Sequence, residues 1–133
     1  MQNNIHWVEI PTTNIERAAA FYSNLLSIEM KVMEAMGMKT AFFPHTSETQ
    51  SGGCLMQGPH YTPSDKGTIV YLSAGDNIQP VLDRIEAIGG AIVLPKTSLG
   101  PNGFMAHILD TEGNKVGVHS KKGSHVLFLT SLN

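Results

Sequence analysis

The chain has very little cysteine, and neither its charges nor its apolar residues are concentrated in long runs. Cys54 is the only cysteine among 133 residues, which excludes an internal disulfide and a thiolate zinc cluster. Nine basic and eleven acidic residues are scattered without a block of either sign, which argues against nucleic acid or a membrane surface as a partner. No apolar run approaches the ~20 residues of a membrane span, and the first residues lack a secretory signal pattern. We therefore expect a cytoplasmic protein.

The sequence does contain an internal duplication. A strand-like segment at 5–10 is followed by Asn14-Ile15 at the start of a helical pattern, and a second such segment at 69–74 is followed by Asn77-Ile78. With 133 residues, of which 41% are hydrophobic, the chain suits one ordinary core. We expect a single domain over residues 1–133, made of module 1 at about 5–58, module 2 at about 67–120 and a C-terminal extension at 121–133.

Both helical patterns carry end signals. The first spans 12–26, where Thr13 and Glu16 have the form of a capping box that satisfies amide hydrogens at the helix start. The second has a capping side chain at Asp76 or Asn77 and a proline in its first turn. The pair Gly89-Gly90 then predicts its end, because glycine suits a left-handed cap.

The remaining pattern predicts short strands bounded by glycine and proline. They lie at 29–33, 38–43, 53–57, 91–94, 104–109 and 115–119. Each module therefore has a strand, a helix and then three strands. The apolar run at 126–129 follows the second module, and we expect it to pair along a sheet edge or to cover a partner subunit.

Strand alternation separates the side chains that pack under a helix from those that point away from it. In the first strand Val8 and Ile10 are apolar and suit the helix side, so their neighbours point to the opposite face. The same argument in the second half assigns residues to that opposite face. The residues assigned to this face are Trp7, Glu9, Ile69, Tyr71, Ser73 and His119.

Four sequence segments, taken together with the duplication, indicate a family resemblance. They are EIPTTNIERAAAFY at 9–22, SGGCLM at 51–56, GGAIVLPKT at 89–97 and DTEGNKVGVHS at 110–120. Together they resemble the glyoxalase, bleomycin-resistance and extradiol-dioxygenase group, the vicinal oxygen chelate superfamily, over about residues 5–120. The resemblance implies an α+β fold in which two βαβββ modules form a curled mixed sheet around a small-molecule cavity, with helices on the outer face, and it implies a homodimer. The chain departs from the pattern at Ser27, where many relatives carry glycine.

The resemblance also implies a divalent metal ion held by His and Glu side chains on three or four strands. The corresponding positions here are Ile5, Ile69 and Gly117, and none of these residues can bind a metal through its side chain. We therefore predict that the usual metal, and any other cofactor, is absent. The alternative is a one-residue shift that makes His6 a metal ligand together with His119, although this shift would bury the charge of Glu9.

Glu9 and His119 are the candidate catalytic residues. Imidazole titrates near neutral pH, and strand alternation places His119 on the same face as Glu9, so the two could exchange protons with a ligand. Each has a structural alternative. Glu9 could accept a hydrogen bond from a neighbouring Tyr or His, and His119 could be a surface histidine at a strand end.

The candidate ligand-binding residues are Trp7, Tyr71, Ser73, Met56 and His107. The two aromatic rings could stack on a planar ligand or could serve packing alone. His107 could face the cavity or lie in the core with its hydrogen bonds satisfied. The thioether of Met56 suits a bulky apolar ligand and equally suits ordinary core packing.

Two classes of function remain. The first is a metal-free binding protein that holds a small, partly apolar or aromatic molecule. The second is a lyase, isomerase or dioxygenase-type enzyme, which would use a divalent metal ion at His6 and His119 or acid–base chemistry between Glu9 and His119. The missing metal ligands favour the first class.

Overall fold

The computed structural model describes residues 4–44 and 52–123. Its main elements are β1 (Trp7–Pro11), α1 (Ile15–Leu26), β2 (Val32–Ala35), β3 (Met38–Phe42), β4 (Gly52–Gln57), β5 (Tyr71–Ser73), α2 (Gln79–Arg84), β6 (Ala91–Ser98), β7 (Phe104–Leu109) and β8 (Lys115–Ser120). Short 3-10 helices, Glu86–Ile88 and Gly100–Asn102, follow α2 and β6. Within these two ranges, the helices are too short and too polar to cross a membrane.

The strands form two four-stranded sheets, one in each module. The first sheet has the order β1-β4-β3-β2 and the second has the order β5-β8-β7-β6. In both, the first strand pairs in parallel with the last, and the other pairs are antiparallel. The repeated order confirms the α+β fold with two βαβββ modules. The sheets differ from the expected single curled sheet, because they are separate and do not close around one cavity within the described chain.

The start of α1 differs from the prediction. Its capping residue is Asn14, whose Oδ1 accepts a hydrogen bond from the Arg17 amide at 3.0 Å. The expected capping box of Thr13 and Glu16 is wrong, because the amide and hydroxyl of Thr13 donate to Glu112 at 2.9 and 3.0 Å. A carboxylate from the other module therefore satisfies groups that were expected to find their partners within the helix.

The second helix is shorter than its apolar pattern. Regular α-helix ends at Arg84, and the chain continues as a 3-10 turn to Ile88. Gly89 then takes the left-handed conformation expected of it, with a φ of 100°. At the other end, Asn77 rather than Asp76 supplies an oxygen, which accepts from the Gln79 amide at 2.9 Å.

The predicted strands are found, but four of them differ clearly in their bounds. The strand expected at 5–10 runs from Trp7 to Pro11. The strand expected at 29–33 begins only at Val32, the strand expected at 69–74 is limited to Tyr71–Ser73, and the strand expected at 91–94 extends to Ser98. Most of the predicted extension at 121–133, including the apolar run at 126–129, lies outside the described residues.

One hydrophobic core contains residues of both modules, and a buried polar contact joins them. The Tyr22 hydroxyl of α1 donates to Asp110 Oδ2, at the end of β7, at 2.6 Å. Asp110 also accepts from the amide of Glu112 and from the amide and side chain of Asn114. Burial, together with the nearby Asp110 charge, raises the pKa of Tyr22 well above its usual value. The bonds made by the Asp110 carboxylate indicate a structural role.

Glu112 holds the turn between β7 and β8 against the start of α1. Its carboxylate accepts from the amides of Thr13 and Asn14, both at 2.9 Å, and from Arg17 Nε at 2.7 Å. Burial alone would raise the pKa of this carboxyl, but the bonds from Arg17 and the two amides lower it to about 2. A negative charge at a helix N-terminus is also favourable. The first helix therefore depends on the second module.

Candidate functional site

Strand alternation places the predicted site residues on the faces of the two sheets that are opposite the helices and the core. We call these the outer faces because they are exposed in a single chain; in the expected curled sheet they would face the cavity. In β1, Ile10 is buried, whereas Trp7 is 41% exposed and Glu9 is also exposed. In β5, Leu72 packs against the core, whereas Tyr71 is 46% exposed. The alternation expected from the sequence is therefore present in both modules.

On the second outer face, Tyr71, Gly117 and His107 lie side by side on β5, β8 and β7. The Tyr71 ring lies directly over Gly117, because a Cβ atom at that position would overlap the ring. The absence of a side chain lets the phenol reach across β8, and its Oη lies 2.6 Å from Nε2 of His107. The two rings have centroids 5.5 Å apart. We call these two side chains the phenol–imidazole pair.

The next row on this face contains Ser73 and His119. Nε2 of His119 lies 2.7 Å from the backbone oxygen of Asn102. Because a carbonyl oxygen can only accept, Nε2 carries the hydrogen, and Nδ1 is the nitrogen that could take a proton from a ligand. The Ser73 hydroxyl accepts from the Gly75 amide at 3.2 Å.

On the first outer face, the predicted site residues contact neighbouring side chains. The Trp7 ring packs edge-on against Phe42, with centroids 6.1 Å apart. Glu9 accepts a hydrogen bond from the Tyr61 hydroxyl at 2.8 Å, and this bond raises the pKa of Tyr61. The structural alternative for Glu9, an acceptor for a neighbouring tyrosine, is therefore realised in the fold.

On β4, by contrast, two residues are closed to solvent. Met56 is 6% exposed and Cys54 is 2% exposed. Burial raises the pKa of the Cys54 thiol, which opposes its ionisation to a nucleophilic thiolate. His6, the alternative metal ligand, precedes β1 and is exposed.

An apolar pocket of about 460 Å³ opens between the edge strands β1 and β5, beside the C-terminal end of α1. Apolar side chains of its wall include Ile5, Val8, Leu26, Phe43, Val70 and Leu72. Two of the predicted ligand-binding residues, Tyr71 and Ser73, also line it. The other predicted site residues in the described chain lie outside its lining, namely Trp7, Glu9, Met56, His107 and His119.

Glu9 and His119 belong to different sheets. Glu9 lines a smaller pocket of about 220 Å³ between β1 and β8, together with Lys66 and Lys115. His119 lies on the second sheet, which is not joined to the first. An acid–base pair of these two residues stays a prediction, and it requires two outer faces to come together.

The positions that the family resemblance assigns to metal ligands provide no donor side chains. Ile5 contributes to the apolar pocket, Ile69 precedes β5, and Gly117 is covered by the Tyr71 ring. Across residues 4–44 and 52–123, no three His, Cys, Asp or Glu side chains are grouped so that they could hold a metal ion. The described residues of one chain therefore do not fit the divalent ion that the resemblance implies.

In three important contacts, the partner residue was not identified from the sequence. Tyr61 and Asn102, the partners of Glu9 and His119, lie in connecting segments where no periodic pattern guides assignment. The reach of Tyr71 to its imidazole partner had one available signal. Gly117 interrupts a strand pattern, and a glycine there often marks the close approach of another group.

Comparison with known proteins shows one matching family. A model described as the Glyoxalase/Bleomycin resistance protein/Dioxygenase superfamily matches residues 4–118. A putative glyoxylase of Mycobacterium bovis, CFP32, is 24% identical over 119 residues, which are 88% of this chain and 45% of that protein. The chain thus spans about half the length of the curated relatives that it matches.

Solved structures share the fold. Glyoxalase I of Leishmania major, described as trypanothione-dependent, has a TM-score of 0.66 at 12% identity, over 98% of this chain and 94% of that one. FosX of Listeria monocytogenes, a fosfomycin resistance protein whose mutant was solved with Mn(II), has a TM-score of 0.60 at 17% identity, over 100% and 99% of the two chains. At such identities the likeness concerns the fold alone.

Proposed function

This chain belongs to the glyoxalase, bleomycin resistance protein and dioxygenase superfamily, and we propose that it is a member that binds a small, partly apolar or aromatic molecule. The observation that carries the proposal is the apolar pocket of about 460 Å³ between β1 and β5. This volume falls in the usual range of small-molecule sites, which are mostly apolar with a few polar groups. Here Tyr71 and Ser73 bring the polar groups to the pocket wall.

We propose that binding uses no metal ion, in contrast to the FosX mutant that was solved with Mn(II). The support is the chemistry of Ile5, Ile69 and Gly117, which replace the expected donors. Elemental analysis of protein purified without added metal or chelator, after growth with Zn, Ni, Mn or Fe, tests this proposal. We expect far less than one ion per chain. One ion per chain that is lost on His6→Ala would contradict it and would favour the metal-dependent enzyme.

We also propose that the protein is a homodimer in which the outer faces of two copies meet. Trp7 and Phe42 contact each other on the first outer face and leave 41% and 40% of their surfaces exposed, and Tyr71 leaves 46% exposed on the second. Exposed apolar patches are typical of interaction surfaces. Such contact could bring Glu9 of one copy near His119 of the other, as the acid–base enzyme alternative requires. Light scattering after size-exclusion chromatography should give the dimer mass, and a monomer at micromolar concentration would contradict this arrangement.

The pocket itself can be tested with anilinonaphthalene sulfonate, whose emission rises in apolar surroundings. We expect saturable binding at one site, and a higher melting temperature at high probe concentration. Ile5→Trp places a large ring at the pocket wall, so it should weaken binding about fivefold or more, which corresponds to ~1 kcal/mol.

The matched control is Ile92→Trp, since Ile92 is a partly exposed isoleucine on β6 and the pocket lies elsewhere. This variant should bind the probe as the wild-type protein does. Absence of saturable binding, or equal binding by both variants, would rule out the pocket as the site.

A further inference from the structure

The strand β6 forms one edge of the second sheet, since it stands last in the order β5-β8-β7-β6. We propose that the apolar run at 126–129 of the same chain pairs with this edge as an antiparallel fifth strand. The proposal is independent of the proposed function, because residues of β6 line neither the apolar pocket between β1 and β5 nor the smaller pocket beside Glu9.

The first support is the apolar surface of this edge. Ile92 is 37% exposed and its neighbour Val93 is 47% exposed. An edge strand with exposed apolar side chains readily pairs with other chains, and natural proteins cover or interrupt such edges. Among the strands formed by residues 4–44 and 52–123, β7 is the only one that pairs with β6. The other side of β6 can therefore accept a further strand.

Pro95 limits where such a strand can pair. Proline has no amide hydrogen, so it cannot donate a hydrogen bond to a neighbouring strand. The register of β6 against β7 also shifts between Ile92 and Leu94 and again between Leu94 and Thr97. Pairing on the free side is therefore expected to be short and to lie at residues 91–94. A run of four apolar residues has a suitable length for this part of the edge.

The second support is the path of the chain just before the run. The backbone oxygen of Lys122 accepts a hydrogen bond from the Ile78 amide at 3.0 Å. Gly123 lies against the Phe104 ring, because a Cβ atom at this position would overlap the ring. The backbone oxygen of Gly123 accepts a hydrogen bond from Nζ of Lys96. The chain therefore reaches β6 at Lys96.

Lys96 is a defined anchor for this approach. Its Nζ also donates to Oε1 of Gln79 at 2.6 Å and lies 5.9 Å from the centroid of the Phe104 ring. Since β6 ends at Ser98, only the direction toward Ala91 follows the edge over several residues. A segment that leaves Lys96 in this direction is antiparallel to β6.

The reach of the segment matches the exposed part of the edge. Each extended residue advances about 3.3 Å on either strand. Val126 follows Gly123 by the same number of residues as Val93 precedes Lys96, so the two positions meet in an antiparallel pairing that starts at Lys96. If one or two residues are needed to pass around the edge, the next residues of the run take this place. Each of these registers brings an apolar side chain beside Val93.

The first sheet supplies a matched control edge. The strand β2 stands last in the order β1-β4-β3-β2, and its Val32 is 38% exposed. The contacts of Gly123, in contrast, are with Phe104 and Lys96 in module 2. The run should therefore meet β6 and should not meet β2.

Cysteine pairs test the proposal in the full chain. Val93→Cys is combined with one further cysteine in the run, and dilute protein is oxidised with copper phenanthroline. We expect a disulfide within one chain at one or two of the four positions, with at least a fivefold higher yield than when Val32→Cys replaces Val93→Cys. Intact mass and peptide mapping identify the bond, and Cys54 should not compete because it is 2% exposed. The second substitutions are Val126→Cys, Leu127→Cys, Phe128→Cys and Leu129→Cys.

Hydrogen exchange measures the same contact without oxidation. Leu127→Asp places a charge in the run, and we expect at least one backbone amide of residues 92–94 to exchange about tenfold faster than in the wild-type protein. Thr130→Asp places the same charge just after the run and should leave this exchange unchanged.

The outcomes separate the possible partners of the edge. A position-specific disulfide within one chain, together with faster exchange in Leu127→Asp, supports the proposal. A disulfide between two chains would assign the edge to a second copy and would overturn it. Equal yields from Val93→Cys and Val32→Cys, or no disulfide in protein with a normal melting temperature, would also overturn it. Binding of anilinonaphthalene sulfonate should persist in all these variants, so failure here leaves the proposed function standing.

Discussion

The outer faces of the two modules share one strand plan. In module 1, Trp7 pairs with Gly52 across β1 and β4, and in module 2, Tyr71 pairs with Gly117 across β5 and β8. Each module therefore places an aromatic residue on its first strand and a glycine beside it on its last strand. The sequence duplication is thus visible at the level of individual side chains.

The residues that these rings contact make the two faces different. Trp7 packs edge-on against Phe42, whereas Tyr71 forms a hydrogen bond with His107. Module 1 therefore uses its ring for packing, and module 2 uses its ring to position polar groups at the surface. The duplicated strand pairing therefore determines which positions of the sheet carry an aromatic ring beside a glycine. The residues on the neighbouring strands determine whether that ring makes a packing contact or a hydrogen bond.

The largest expected effect comes from comparing glycines on the last strands of the two modules. A Cβ atom at Gly53 would lie 2.5 Å from the backbone oxygen of Val8, and the paired strands cannot separate to relieve it. Gly53→Ala should therefore lower the free energy of unfolding by about 3 kcal/mol. Gly117→Ala meets the side chain of Tyr71, which can turn away, so we expect about 1 kcal/mol.

Urea denaturation of the two variants measures this contrast. In a Tyr71→Ala background the cost of Gly117→Ala should largely disappear, because the ring that it displaces is gone. A cost that persists there would mean that another group occupies the space above Gly117.

A second contrast concerns how each helix start is stabilised. Glu112 reaches α1 from the other module, whereas α2 receives the oxygen of its own neighbour Asn77. Glu112→Gln should cost about 2 kcal/mol, since it removes hydrogen bonds to a charged group. Asn77→Ala should cost about 1 kcal/mol. If chemical denaturation showed equal losses of unfolding free energy for the two variants, the contact between modules would contribute no more to stability than the local contact of Asn77.

The contribution of Glu112 should depend on pH with a definite sign. Its pKa is lowered from the ordinary value of 4.5 to about 2 in the folded chain. The stabilisation is therefore fully present above about pH 4.5 and is lost as the pH falls from there toward 2. The difference in unfolding free energy between wild type and Glu112→Gln should shrink over this window. A difference that persists unchanged at acid pH would contradict the assignment.

A smaller effect compares two tyrosine hydroxyls. Tyr22 is fully buried and donates to Asp110, so Tyr22→Phe should cost about 1.5 kcal/mol. Tyr61 donates to Glu9 at the surface, and Tyr61→Phe should leave the denaturation midpoint unchanged. If Tyr61→Phe proved the more damaging change, the first outer face would be more important to folding than its position suggests.

The smallest effect concerns the two helix ends. Ser27 ends α1 with a φ of 55°, whereas Gly89 ends the helical segment of module 2 with a φ of 100°. Because a left-handed conformation is unfavourable for residues other than glycine, Ser27→Gly should raise stability by about 0.5 kcal/mol. A thermal melt should show a small increase, and a decrease would mean that the Ser27 side chain has an important contact.

Much of the fold could be predicted because it depends on local pattern. The apolar spacing of α1, the glycine end of the second helix and the alternation of Trp7 with Ile10 are set by residues close together in sequence. The start of α1 could not be predicted in the same way. Its Thr13 is satisfied by Glu112, 99 residues away, and no local pattern reports such a contact.

The candidate site likewise has some features that local sequence pattern predicts and others that depend on tertiary contacts. Alternation along β5 correctly predicted that the side chains of Tyr71 and Ser73 point away from the core. The bond from Tyr71 to His107 required the register of three strands and the empty space above Gly117. The apolar pocket was missed because Val8 and Leu72 were assigned to helix packing, whereas they also line the gap between two edge strands.

By itself the sequence determined the duplicated modules and the face on which each strand residue lies, because side-chain direction alternates within a single strand. Only the tertiary structure decided which residues become neighbours across strands and modules. That choice depends on register and on the docking of the two sheets. Tyr71 meeting an imidazole, and Glu112 meeting a helix start, are therefore properties of the assembled fold.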